Sequence, residues 1–192
     1  MHGDDIKEQE ILDGDWDYLI ILDACRYDSF EKAYGKYLEG KLEKRKSRGS
    51  CTAEWLFKTF TKRMDDVVYI STNPFVNGKN FPLDKTTKDC KSRWNPTKNF
   101  KRVIDAWMDN WDESLNTVHP REVNKVAIKN KKEKSIIHYM QPHEPYLTNK
   151  EKDKEWDAIK TIKKKEKRSK LFSILKPVIV FLWGMINFKN RI

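Results

Sequence analysis

The chain has 192 residues, 38% of them hydrophobic and 35% charged, with a formal net charge of +10. Seven Trp, seven Tyr and nine Phe exclude a chain disordered throughout, because aromatic residues at that density are there to be packed. The basicity is local: residues 151–192 hold 12 Lys/Arg against 5 Asp/Glu, while the first 150 are close to balanced. Charge therefore does not mark the main body as a nucleic-acid binder. An RNA contact through the basic tail ranks third among the readings, with no aromatic interleaving or motif to support it.

Residues 16–22 (WDYLIIL) form a short apolar run rich in strand formers that stops at Asp23, and an amphipathic stretch follows at 27–38. The pattern predicts a strand, a loop and a helix. Residues 52–63 place Trp55, Leu56 and Phe60 at helical spacing. Residues 67–70 (VVYI) predict a second strand, ended by Ser71, Thr72, Asn73 and then Pro74, which cannot continue a ladder. Residues 73–99 show no period and read as a long surface loop.

Phe100, Val103, Ile104, Trp107 and Trp111 lie on one stripe and predict a helix over 100–112, with Trp94, Trp107 and Trp111 read as packing residues. Pro120 opens a second helix over 120–131. Residues 135–140 (SIIHYM) predict a third strand, closed by Pro142 and Pro145. Apolar strands without alternation, separated by helices, predict an α/β fold: a mostly parallel sheet in a three-layer α/β/α arrangement over residues 1–150.

The tail differs. Residues 151–170 form a charged linker or helix, with seven basic residues between positions 160 and 170, and residues 171–192 begin with the apolar run LFSILKPVIVFLWGMINF. Three readings fit that run, in this order: a buried core helix, a membrane-surface helix beside a polybasic segment that meets anionic lipid, and a transmembrane span. The span comes last because Lys176 and Pro177 interrupt a run already short of about 20 residues. An acidic, polar N-terminus carries no secretory signal. Three widely spaced cysteines, Cys25, Cys51 and Cys90, give no disulfide or zinc framework. The expected location is cytoplasmic, with a peripheral position at the inner membrane face if the tail meets lipid.

In parallel sheets ligands bind beyond the carboxyl ends of the strands. Those positions hold Asp23, Arg26 and Asp28 after the first run, Ser71, Thr72 and Asn73 after the second, and His138, Gln141, His143 and Glu144 at or after the third. An aspartate at a strand end is a hard oxygen ligand for a divalent cation. A histidine there binds an anionic oxygen or moves a proton. Ser50 and Thr52 stand just ahead of a helix, as caps or as an activated nucleophile on an anion-binding helix start.

In chain order, the segments YLIILDACRYDSF, SRGSCTAEWL, VYISTNPFV, VIDAWMDNWDESLNTVHPREV and IIHYMQPHEPYL resemble an archaeal sulfatase-like branch of the alkaline phosphatase superfamily, over roughly residues 16–148. The last segment carries most of the resemblance, since His-Tyr-x-x-Pro-His-x-Pro-Tyr recurs in sulfatase-like proteins. The resemblance implies an alkaline phosphatase-like sheet and hydrolysis or transfer of a phosphate or sulfate ester. It implies a divalent metal cofactor (Ca, Mn, Mg or Zn) on Asp23 and Thr52, with Thr52 as nucleophile and His143 against the transferred group. Arg26 and Asn73 join His143 as substrate-binding candidates.

Conversion of Cys51 to formylglycine is not expected, because Trp55 stands where sulfatases have Arg. His138 falls one strand residue too early to match the family histidine. The family's Asp-His-Gly strand does not occur, so the domain reads as incomplete at its C-terminus. A complementing polypeptide, a degenerate homologue or a metal site assembled differently would each account for that. The rival expectation is a non-catalytic scaffold, or a membrane-peripheral protein docking through residues 160–188, that retains half of the fold.

Overall fold

The computed structural model describes residues 6–12, 14–74, 76–78, 94–144 and 146–147. The tail, Cys90 and most of the 73–99 loop lie outside these residues. The core is a four-stranded sheet in the order β1-β6-β2-β3, every pair parallel. Its strands are β1 (Tyr18–Leu22), β2 (Met64–Ser71), β3 (Phe100–Asp105) and β6 (Ser135–Tyr139). A two-residue antiparallel ladder joins β4 (Trp111–Asp112) to β5 (Thr117–Val118).

Alternation along the central strands builds two cores, one on each face. Val67, Tyr69 and Ile136 pack with Leu56 and Trp55 of α2 (Thr52–Thr59) and with Phe60 and Phe100. Val68, Ile70 and Ile137 pack with Trp107 of α4 (Ala106–Asp109) and Val123 of α5 (Pro120–Lys129). Helices therefore cover both faces of β2 and β6, which is why those strands read as continuous apolar runs. The remaining helices are α1 (Tyr27–Ala33), continued by a 3₁₀ turn at Tyr34–Lys36, and α3 (Pro96–Asn99). Trp94 and Trp107 are buried, as expected of packing residues.

The expected helix over 100–112 is instead β3 followed by the single-turn α4 and β4. The same apolar positions serve both periods. Phe100 and Val103 join the α2-side core and Ile104 the other, while hydrogen bonding to β2 fixes the extended form. Pairing over long sequence distance thus overrides a local helical stripe. The other elements are shorter than the patterns suggest: α1 changes to 3₁₀ at Tyr34, α2 ends at Thr59 and α5 at Lys129. Among the described residues no helix is long and apolar enough to cross a membrane.

Candidate functional site

Asp23 directly follows β1 at the carboxyl end of the sheet, its amide donating to the Tyr139 carbonyl at 3.0 Å. Ala24 then turns the chain with φ +55°, a left-handed conformation that alanine adopts at a cost of roughly 1–2 kcal/mol. The β1–β6 step brings the Asp23 carboxylate beside His138, and the β6–β2 step brings Asn73 to it from the next strand end.

Thr52 arrives on α2. The helix is capped by Cys51 in extended backbone with no side-chain cap bond, so Thr52 is the first helical residue. Its hydroxyl is not a cap; it donates to Asp23 Oδ1 at 3.3 Å. Glu54 Oε2 accepts from the amide and the hydroxyl of Ser50, both at 2.7 Å, and so fixes the chain just ahead of the helix. Gly49 allows this entry: a Cβ there would stand 2.3 Å from the Trp55 nitrogen.

Asn73 Nδ2 donates to Asp23 Oδ2 at 2.8 Å. Its own turn is fixed by the Ser71 hydroxyl, which donates to the Asn73 carbonyl at 2.7 Å. Thr72 Oγ1 donates to the His138 carbonyl at 2.6 Å, tying the β2 and β6 ends together. His138 Nε2 stands 3.5 Å from Asp23 Oδ2, long for a hydrogen bond. On its other side His138 Nδ1 meets the Tyr69 hydroxyl at 2.9 Å. Burial, and then the charge of Asp23, push the Tyr69 phenol well above its ordinary pKa, so it keeps its proton. When the Tyr69 hydroxyl donates to Nδ1, the imidazole proton sits on Nε2, facing Asp23.

Asp23 is 5% exposed and Thr52 3%. Burial alone would raise the Asp23 pKa. The His138 contact, the charges of His138 and His143, and the Asn73 hydrogen bond outweigh it and hold the carboxyl below its ordinary value. Asp23 is thus a buried anion, and among the described residues no Lys or Arg shares a hydrogen bond or ion pair with it.

The residues expected to form a site divide into two groups. Asp23, Thr52 and Asn73 meet through direct hydrogen bonds. His143, half-buried on the turn after β6, lies within electrostatic reach of Asp23, with its Nδ1 against the Glu144 carbonyl at 2.6 Å. Arg26 is not drawn in: its guanidinium forks onto Asp28 at 2.9 and 2.8 Å on an exposed surface. His138 and Tyr69, set aside or unconsidered at the level of sequence, contribute a second buried layer. The signal for them was a histidine inside an otherwise apolar strand, which needs a buried polar partner.

The donors suit a divalent cation on one side. A buried anionic carboxylate next to a hydroxyl is hard-oxygen chemistry. Among the described residues no group of three or more His, Cys, Asp or Glu side chains could hold a metal ion. Asp23 and Thr52 would therefore form one wall of such a site. Comparison with protein-family models, curated proteins and solved structures found no match to this chain.

Proposed function

We propose that this chain is a sulfatase-like, metal-dependent hydrolase or transferase that acts on a phosphate or sulfate ester through Thr52. The observation that carries this reading is the buried Thr52 hydroxyl, at the first position of α2, hydrogen-bonded to the anionic Asp23 at a strand end. An N-cap threonine would have turned its hydroxyl back to the helix; this one is held toward a carboxylate.

Asp23 Oδ1 accepts the Thr52 proton in a hydrogen bond and so fixes the direction of an oxygen lone pair. The free amides at the start of α2 favour an anionic group there. His143, from the turn after β6, would donate to a non-bridging or leaving oxygen of the ester. Attack by Thr52 Oγ1 forms a Thr–O–phosphorus or Thr–O–sulfur bond as the bond to the alcohol oxygen breaks, and that alcohol leaves with a proton. Water or an acceptor alcohol then takes the group from Thr52 and restores its hydroxyl. A divalent ion held by Asp23 and Thr52 would, when bound, neutralise the tetrahedral anion and lower the pKa of the hydroxyl. Asn73 and His138 fix the carboxylate so that it does not rotate away from Thr52.

The test is turnover of 4-nitrophenyl phosphate, bis(4-nitrophenyl) phosphate and 4-nitrophenyl sulfate with Mg, Ca, Mn or Zn. Thr52→Ala is expected to lower the rate by at least about a thousandfold with the circular-dichroism spectrum unchanged. Activity indifferent to Thr52→Ala would place the nucleophile elsewhere. No turnover of any ester with any of the four metals would overturn catalysis and leave the scaffold reading.

A further inference from the structure

Among the described residues, strand β1 is covered on one face and bare on the other. Leu19 and Ile21 pack into the α2-side core, whereas Tyr18, Ile20 and Leu22 point the other way and are 48%, 58% and 36% exposed. Among the described residues β1 has a single neighbour, β6. On that bare face the register places Ile20 beside Ile137, which α5 covers. The cover ends there.

The flank of α5 that looks toward β1 is identified by its contacts. Tyr139 donates to Asn124 Oδ1 at 2.6 Å, and the Tyr18 hydroxyl donates to the Lys131 carbonyl just past the helix. Ile128, four residues from Asn124 and three from Lys131, lies between them on the same flank, and it is 65% exposed. The bare strand and this flank make a groove with an apolar floor and an apolar wall. Parallel strands are stable with both faces covered, and a groove of this kind is an unfilled helix position.

We propose that this groove is the seat of the chain's own apolar segment, residues 171–188. Three arguments favour that occupant. Handedness is the first. The β1-to-β2 crossover carries α2 on one face, and the β3-to-β6 crossover, running the opposite way, carries α5 on the other. A chain that leaves β6 and continues toward β1 repeats the β3-to-β6 direction, so a right-handed connection lays it on the α5 face, over Ile20.

Size is the second argument. A helix begun at Pro177 and ending at Phe188 would be about 18 Å long, against about 17 Å for the five residues of β1. The third is chemistry and reach. Residues 177–188 carry no charged side chain, and the chain between 147 and 171 can extend to about 80 Å. The seat is independent of the Thr52 chemistry.

The test uses the full chain with a benzophenone amino acid in place of Ile128, irradiated at low micromolar concentration, and the same probe in place of the exposed Phe57 of α2 as control. Crosslinks from position 128 to residues 171–188 within one monomer are expected, unchanged by phosphatidylserine vesicles. Covalent dimers, lipid adducts, absence of crosslinks to 171–188, or an equal yield from position 57 would each overturn the proposal. Hydrogen exchange provides a second readout. In the double variant Ile20→Asp/Ile128→Asp, amides of 177–188 should exchange about tenfold faster or more, while residues 67–70 keep their protection. Equal exchange of 177–188 in both proteins would overturn it.

Discussion

The two ends of the parallel sheet both hold polar residues and use them in opposite ways. At the amino end, Arg63 pairs with Asp65, Lys134 with Asp66, and Lys101 and Arg102 with Glu133, all in contact with water. At the carboxyl end, Asp23, Thr52, Asn73, Thr72 and His138 are buried and joined side chain to side chain or side chain to backbone. Paired charges in water contribute little and can be exchanged freely. Buried polar groups cost stability unless each has a partner, so a network of them persists where position itself matters. That difference is the physical ground for placing the proposed site at the carboxyl end.

Removing a member of the buried network should have the largest effect. His138→Ala leaves a hole between Tyr69 and Asp23 and strands the Tyr69 hydroxyl, while Asp23 keeps Thr52 and Asn73. It should destabilise the fold by about 2–4 kcal/mol, read as a lower urea midpoint with unchanged slope. Tyr69→Phe keeps the ring and its contacts with Phe60 and Phe100 and removes only the hydroxyl facing His138. A loss of about 1–2 kcal/mol is expected. Because the tautomer of His138 is then no longer set from Nδ1, the imidazole NMR shifts of His138 should move as well. A silent Tyr69→Phe would break the comparison, since the inner layer would then be no more coupled than the surface.

Strands β1, β2 and β6 were legible in the sequence because each is a short apolar run stopped by a polar residue or proline. Asp23 and Asn73 were legible for the same reason: the rule for strand ends needs no knowledge of strand order. Strand β3 was not, because Phe100, Val103 and Ile104 satisfy a helical stripe as well as a strand, and only hydrogen bonding to β2 decides. Nor was the insertion of β6 between β1 and β2, which sets His138 against Asp23; that pairing spans more than a hundred residues of chain. Local spacing carries no information about it. The choice of Cys51 rather than Thr52 as the cap was hidden too, since threonine is the better capping residue by preference.

Glu54 tests the approach to Thr52. Partial burial would raise its pKa, but hydrogen bonds from Lys58 and Ser50 win and bring it to about 2 from 4.5. A carboxylate whose folded pKa is depressed stabilises fully above its unfolded value and loses that contribution as pH falls through the folded one. The contribution of Glu54 is therefore complete above about pH 4.5 and gone near pH 2. Its partial exposure discounts the shift to about 1 kcal/mol. Glu54→Gln should lose that amount at pH 7 and show a flatter stability curve between pH 4.5 and 2.

The smallest effect belongs to the amino end and sharpens the contrast most. Glu133 accepts from Lys101 at 2.7 Å and from Arg102 at 2.6 Å, and these two cations hold its carboxyl below the ordinary range. By distance alone this is a closer contact than the one between His138 and Asp23 at 3.5 Å. Lys101 and Arg102 nevertheless keep half of their side-chain surface in water, where solvent and salt screen the attraction. Glu133→Gln should leave the urea midpoint unchanged within error, in low salt and in high. If it instead destabilised the protein as much as Tyr69→Phe, contact distance rather than burial would govern polar energetics in this fold, and the carboxyl end would lose its claim to be special.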